Sequence, residues 1–235
     1  MSKLSTRPCL ALAAVLLVAC DSGAPAKAPA AQAQADKPAA APVAEPAAPA
    51  TPAKKIDDRV LADSGLGVGG KFKPFDILNC ETGDTYCQVC KFGGSPKIMA
   101  VGTLDDPAFK DDIKNLDALV QKYGEDKLKA FAVITDIKDG KSTTPTQDVA
   151  ALQARVKALK DELGVKIPLV LPAAEDGQPN AAFDGYYNIT RSRTLMFADG
   201  RNAVKYSAVA PADLSGLNTA IQGVLGGAPA ADKAG

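Results

Sequence analysis

The chain has 235 residues, with 27 Lys and Arg set against 27 Asp and Glu, and it has no histidine. Balanced charge provides no electrostatic footprint for nucleic acid, and none is expected as a partner. The missing imidazole removes Ser-His-Asp and Cys-His catalysis, histidine-ligated zinc and type 1 copper, so any chemistry must run on Cys, carboxylates, Lys, Arg or Tyr.

The N-terminus reads as an export and attachment signal. Lys3 and Arg7 precede an apolar run from Leu10 to Val18, which closes on Leu17-Val18-Ala19-Cys20. Positive charge, a short apolar run and a small-residue site follow the order of a secretory signal, here residues 1–20. The run is too short to span a bilayer as a helix, which takes about 20 residues. Its last four residues resemble the bacterial lipobox, whose cysteine receives the lipid, and this makes Cys20 the expected lipidation site. The implied location is the bacterial cell envelope, on its periplasmic or extracytoplasmic side, with the membrane as a partner through the N-terminal lipid. Residues 21–58 are Ala- and Pro-rich, lack spaced large apolar side chains, and read as a linker that cannot build a core. Residues 227–235 read as an Ala- and Gly-rich disordered tail. The folding part is expected over 59–226.

Gly65-Leu-Gly-Val-Gly-Gly70 matches the letters of a dinucleotide-binding loop, but no strand precedes it and Lys71-Phe-Lys-Pro follows in place of a helix. A flexible lead-in is expected instead. Lys97–Thr103 is an apolar run without helical period and predicts a buried strand. Asp106 and Pro107 then suit a helix start, with Phe109, Ile113, Leu116, Val120 and Tyr123 on one face and Gly124 as the stop. Lys129–Thr135 predicts a second buried strand. Asp136–Thr146 reads as a surface loop, and Gln147–Leu163 as a second helix. Ile167–Leu171 is a short third strand. Tyr186 and Tyr187 are expected to pack a short helix on the sheet. Thr194–Ala198, the Asp199-Gly200 turn and Ala203–Val209 form a hairpin, and Pro211 opens a last helix with Leu214, Leu217 and Ile221. The acidic pairs Asp105-Asp106 and Asp111-Asp112 fall in first helical turns, where capping and dipole compensation account for them.

From about Phe72 to Leu225, this order of elements resembles the redoxin branch of the thioredoxin-like superfamily, which includes peroxiredoxins and membrane-anchored thiol-disulfide oxidoreductases. Lys71-Phe-Lys-Pro-Phe-Asp-Ile-Leu78 is similar to their entry strand. Tyr187-Asn-Ile-Thr-Arg-Ser-Arg-Thr-Leu-Met-Phe-Ala-Asp-Gly200 is similar to their Y-x-V…P-T-x-F-x-I-D-x-x-G segment. The resemblance implies an α/β, thioredoxin-like fold: a mixed, mostly parallel central sheet with flanking helices and a C-terminal β-hairpin plus helix. It implies thiol-disulfide exchange with a protein thiol or disulfide partner, without a cofactor. Two departures stand out. In the family the dithiol follows the first central strand, whereas that place here reads Thr103-Leu-Asp-Asp-Pro107 and the C-x-x-C, Cys87-Gln-Val-Cys90, stands before the strand. In the aligned pattern the loop before that strand falls at the opposite end of the sheet from the usual site. Arg193 occupies the place of the thioredoxin cis-proline, and peroxiredoxins carry an Arg in a similar place to stabilise their thiolate. By that resemblance Arg193 is a candidate substrate-binding residue.

Setting aside Cys9 in the signal and Cys20, the cysteines are Cys80, Cys87 and Cys90. Residues three apart on an extended chain lie roughly 10 Å apart, beyond the ~7 Å that a disulfide tolerates, so Cys87 to Cys90 must turn to pair. Three readings follow. The leading one is a redox pair in which Cys87 attacks and Cys90 resolves, with Cys80 exchanging through the Glu81–Asp84 turn and Lys91 and Lys97 favouring a thiolate. The second is a static staple in a non-enzymatic binding module, with a buried third thiol. The third is a thiolate carrier of zinc or copper, with Glu81 or Asp84 as an added oxygen ligand to zinc.

Overall fold

The structure, a computed structural model, describes residues 59–226. The export signal, Cys20, the 21–58 linker and the 227–235 tail lie outside the described residues. The central strand β3 (Lys97–Gly102) is buried at every position. Its alternate side chains enter two separate cores: Ile98 and Ala100 on one face, Met99 and Val101 on the other. A strand that is apolar on both faces must be covered twice.

The first cover is helical. Helices α2 (Pro107–Tyr123), α3 (Val149–Leu163) and α5 (Ser215–Leu225) bury Phe109, Ile113, Leu116, Val156, Leu159, Leu217 and Ile221 against Ile98, Ala100, Ala132 and Leu171. Asp106 starts α2 as expected: its Oδ1 accepts from the N–H of Ala108 and Phe109 at 3.1 and 3.3 Å, and Pro107 fills the first helical position, where a missing N–H costs nothing. Gly124 ends the helix at φ 93.

The second cover is built from the entry segment and two short helices, α1 (Gln88–Phe92) and α4 (Ala181–Asp184). Leu66, Phe72, Phe75, Val89, Phe183 and Tyr187 pack here on Met99, Val101, Phe131 and Val133. Tyr187 is wholly buried and its hydroxyl both donates to the Lys73 carbonyl at 2.6 Å and accepts from the Lys73 N–H at 3.0 Å. The glycine-rich lead-in is a loop, but a fastened one: Leu66 is wholly buried and its N–H donates to Met196 Sδ.

The sheet has seven strands in the order β2-β1-β7-β4-β3-β8-β9, where β1 is Asp76–Asn79, β2 Thr85–Cys87, β4 Lys129–Ile134, β7 Leu169–Pro172, β8 Thr194–Ala198 and β9 Val204–Val209. The β3/β4 and β4/β7 pairings are parallel, and β1/β2, β1/β7, β3/β8 and β8/β9 are antiparallel. The expectation of a mostly parallel sheet is therefore corrected to a mixed sheet in which antiparallel pairings outnumber parallel ones. The entry segment makes a whole hairpin, β1 and β2, and docks on β7 against the grain. Only its first strand was expected, because Thr85-Tyr-Cys87 is too short to register as a periodic run.

Two other boundaries move. Asp136–Lys138 (β5) and Lys141–Thr143 (β6) form a separate hairpin in place of a plain surface loop. Asp139 and Gly140 both take positive φ, at 50 and 69, the requirement of the tight turn that an Asp-Gly pair serves best. The last helix begins at Ser215, four positions beyond Pro211. The Pro211 carbonyl accepts from Arg193 Nη2 at 3.3 Å, and the Ser215 N–H is held by Asp213 Oδ1 at 2.8 Å.

The contact between β3 and α2 is tight at Gly102, where a Cβ would lie 2.6 Å from the Phe109 ring. Gly102→Ala is expected to lower unfolding stability by about 1–3 kcal/mol, the usual cost of overpacking. A urea denaturation midpoint equal to that of the parent would contradict this packing.

Candidate functional site

Cys87 closes β2 and is the N-cap of α1, in extended conformation at φ −80 and ψ 108. That turn brings Cys87 and Cys90 to a Cα separation of 5.2 Å, and their sulfurs form a disulfide. The Cys87 Sγ also accepts from the Cys90 N–H at 3.1 Å, so a backbone donor already points at the atom that would carry charge as a thiolate. Cys87 is half-buried and Cys90 exposed. Between them Val89 and Gln88 face inward. Gln88 is wholly buried, with neither atom of its carboxamide hydrogen-bonded.

Two side chains that the sequence did not single out, Tyr86 and Asn79, complete the surroundings together with Lys91, which it did. Tyr86 precedes the pair, and its hydroxyl accepts from Asn79 Nδ2 at 2.9 Å. The Lys91 ammonium stands 4.4 Å from the centre of the Tyr86 ring, a cation–π contact that holds one positive charge beside the cysteines. The signal for this cluster was the T-Y-C strand, legible only once its pairing with β1 is known.

Strand register locates the pair. Cys87 lies opposite Asp76 on β1, and the next residue, Ile77, lies opposite Pro172 on β7. Val170 of β7 aligns with Val133 of β4, and Val133 with Val101 of β3. Carried across the sheet, this sets Cys87 level with the residues just past Gly102. The pair therefore lies at the same end of the sheet as the Thr103–Pro107 turn, which corrects the expectation of the opposite end. The displacement is sideways. Strand β2 is four positions from β3, roughly 19 Å at about 4.8 Å per strand. Because β2 runs parallel to β3, α1 must cross the face back to the start of β3. Phe92 at its end stacks edge-on against Phe131 at 5.8 Å.

Thr103–Pro107, the turn after the first central strand where the sequence resemblance led a dithiol to be looked for, carries other work. Asp106 caps α2 and its Oδ2 accepts from Ser192 Oγ at 2.8 Å, while Asp105 pairs with Arg155 at 3.0 Å. The capping reading holds for Asp106. It is corrected for Asp112, which is buried and accepts from Arg193 Nε at 2.7 Å and Nη2 at 3.0 Å. Arg193 sits in the left-handed region at φ 59. This bidentate pair raises its pKa and ties α2 to the chain entering α5, along a groove of about 680 Å³. The structure brings no cysteine to Arg193, so the thiolate-stabilising role carried over for it has no thiolate to serve.

Cys80 does not join the pair either. It follows β1 on the face of Leu78, in the helical core with α2 and α3, whereas Cys87 packs against the other core. It is 2% exposed, and burial pushes its thiol up to about 12, above the ordinary 9.0. Glu81, the oxygen considered for a metal, is paired with Lys160. The three sulfurs do not converge, and among the described residues no group of three or more His, Cys, Asp or Glu could hold a metal ion. Lys97 is also elsewhere. Wholly buried at the start of β3, its ammonium donates to the Gly93 carbonyl at 2.7 Å and to Asn202. It fastens the far end of α1, and desolvation lowers its pKa.

No family model matches this chain, and no curated protein matches it. Solved structures do. A thioredoxin-like superfamily protein aligns at TM-score 0.51 and 17% identity, over 68% of this chain and 98% of that one. A thiol-disulfide isomerase from Corynebacterium glutamicum aligns at 0.52 and 12%, over 68% and 98%. An uncharacterized conserved protein from Geobacillus kaustophilus aligns at 0.53 and 15%, over 71% and 86%. The fold of residues 59–226 is thioredoxin-like.

The raised Cys80 pKa has a stability consequence. Its contribution is fully present below pH 9, the unfolded value, and is lost as pH rises from 9 toward 12 because only the unfolded chain then releases the proton. Urea midpoints of the parent are expected to fall across that window more steeply than those of Cys80→Ala. Parallel pH profiles would refute the burial argument.

Proposed function

We propose that this chain is a lipid-anchored, extracytoplasmic thiol-disulfide oxidoreductase that exchanges with a protein partner through Cys87 and Cys90. The observation that carries the reading is the disulfide at the N-cap of α1, with the Cys90 N–H 3.1 Å from Cys87 Sγ. In the reduced state that donor and the Lys91 charge favour the Cys87 thiolate. The thiolate attacks one sulfur of a partner disulfide, forms the mixed Cys87–partner bond, and releases the other partner sulfur as a thiolate that takes up a proton. Cys90, deprotonated, then attacks Cys87 Sγ and expels the second partner thiolate. Two electrons have passed to the partner, and the Cys87–Cys90 bond is restored. An external dithiol resets the cycle, and the scheme runs equally in reverse. Cys80 has no part in it, since a buried thiol with a raised pKa supplies almost no thiolate.

One observation favours a second reading, in which the disulfide only staples the entry segment of a binding module. The pair sits on an edge strand, away from the turn where related folds work and away from Arg193. Equilibration with glutathione separates the two. An exchanging pair is expected between roughly −120 and −270 mV and a staple below about −300 mV. With exchange, Cys87→Ser and Cys90→Ser each abolish catalytic disulfide reduction, at least about a hundredfold, while Cys80→Ala keeps it.

The anchor rests on the Lys3–Cys20 signal. Among the described residues no helix is long and apolar enough to cross a membrane. Cells producing the chain with labelled palmitate are expected to label it, and Cys20→Ser to lose the label. Equal labelling of both would remove the lipid from this reading.

A further inference from the structure

Strand β2 closes one edge of the sheet, and among the described residues no strand pairs with its outer side. Register decides which of its backbone groups face outward. Asp76 turns its carbonyl to β7, where it accepts from the Ala173 N–H at 3.0 Å, so the opposed residues Asp76 and Cys87 exchange no hydrogen bonds. Leu78 and Thr85 are the next such pair. The N–H and C=O of Thr85 and the N–H of Cys87 therefore point away from the sheet, while Tyr86 between them bonds inward to Ile77.

This edge is bounded on both sides and held from within. Before it, the Asp84 carbonyl accepts from the Asn79 N–H at 2.9 Å and the Asp84 N–H donates to Thr82 Oγ1 at 3.3 Å. After it, the chain enters α1 at its N-cap Cys87, whose carbonyl belongs to the first helical turn. The Asn79 side chain fixes the hairpin: its Nδ2 donates to the Tyr86 hydroxyl and its Oδ1 accepts from the Glu81 N–H, each at 2.9 Å. Thr85-Tyr86-Cys87 carries neither a charge nor a proline, the devices that blunt an edge. A preformed, unblunted edge is a template for an added strand.

We propose that the partner docks as an added strand: an extended segment of a disulfide-bonded protein pairs antiparallel with β2 and sets its cysteine directly opposite Cys87. The inference rests on the exchange reading of the Cys87–Cys90 pair and describes how that site holds its substrate. Opposed residues in a hydrogen-bonded antiparallel pair lie about 5.5 Å apart at Cα, inside the roughly 4.4–6.8 Å that a disulfide takes. The docked strand thus places the mixed disulfide within reach. The Cys87 thiolate attacks the facing sulfur, the partner's disulfide breaks, and its second sulfur leaves as a thiolate. Running antiparallel, the partner sets the second residue after its cysteine opposite Thr85, where its N–H donates to the Thr85 carbonyl and its carbonyl accepts from the Thr85 N–H. The substrate class is therefore a disulfide on an exposed, extended segment with no proline two residues after the cysteine.

The test uses the reduced full chain and a short peptide whose one cysteine is bonded to thionitrobenzoate, a coloured leaving group. N-methylation of the second residue after that cysteine is expected to slow thionitrobenzoate release at least about fivefold, the effect of losing one hydrogen bond. N-methylation of the first residue after it, whose N–H faces away from β2, should change nothing. Thr85→Pro removes an outward N–H and leaves the β1 ladder intact. It should slow the peptide by a similar factor and leave the symmetrical thionitrobenzoate disulfide, which has no backbone to pair, at the parent rate. Equal rates for the two N-methylated peptides overturn the docking, and so does an unmethylated peptide that does not react. Where Thr85→Pro fails to fold or slows both substrates alike, the two N-methylated peptides on the parent decide. The glutathione equilibration of Cys87 and Cys90 reads the exchange independently, so failure of the docking and failure of the exchange are distinguishable.

Discussion

The constraint on which the rest depends is that β3 and β4 are apolar on both faces. A strand with one face in water needs one covering layer. These need two, and the chain after α2 supplies most of only one of them. The second must come largely from residues 59–92, so the entry segment cannot be a simple leader. It folds into a fastened loop, a hairpin and a short helix laid over Met99, Phe131 and Val133. The helix that completes this cover is the one that carries the cysteines.

That origin explains the chemistry available. A short helix needs an N-cap, and Cys87 serves as one, which aims the Cys90 N–H at its sulfur. The same alternation that builds the two cores separates the third sulfur. Ile77 and Leu78 already point to opposite faces, and Cys80 follows Leu78 into the helical core. The sheet therefore divides an odd set of thiols into an accessible pair and a protonated, buried residue. Beside the turn that follows β3, Asp106, Ser192, Asp112 and Arg193 form a polar clamp that joins α2, β8 and the approach to α5.

Much of the architecture was legible along the chain because the signals were local and strong. The Asp106-Pro107 start, the Phe109–Tyr123 stripe and the uninterrupted apolar runs of β3 and β4 each reflect a single dominant energy. Errors arose where a non-local partner decided. Pro211 resembles a helix start, but its carbonyl is claimed by Arg193 from another element. Asp139-Gly140 carried a hairpin signal that the surrounding polar residues hid. Thr85–Cys87 is a strand only because β1 lies beside it, and missing it together with the antiparallel docking of β1 on β7 made the sheet seem mostly parallel.

The amino-acid order by itself determined the run of strands and helices, a C-x-x-C able to turn and an absence of histidine chemistry. Those follow from composition, period and spacing, which act over a few residues. Tertiary structure alone decided where the sulfurs stand: level with the usual dithiol turn, four strands to its side, apart from Cys80 and out of reach of Arg193. Strand order and register determine those distances, and both are set by pairings between residues far apart in the chain.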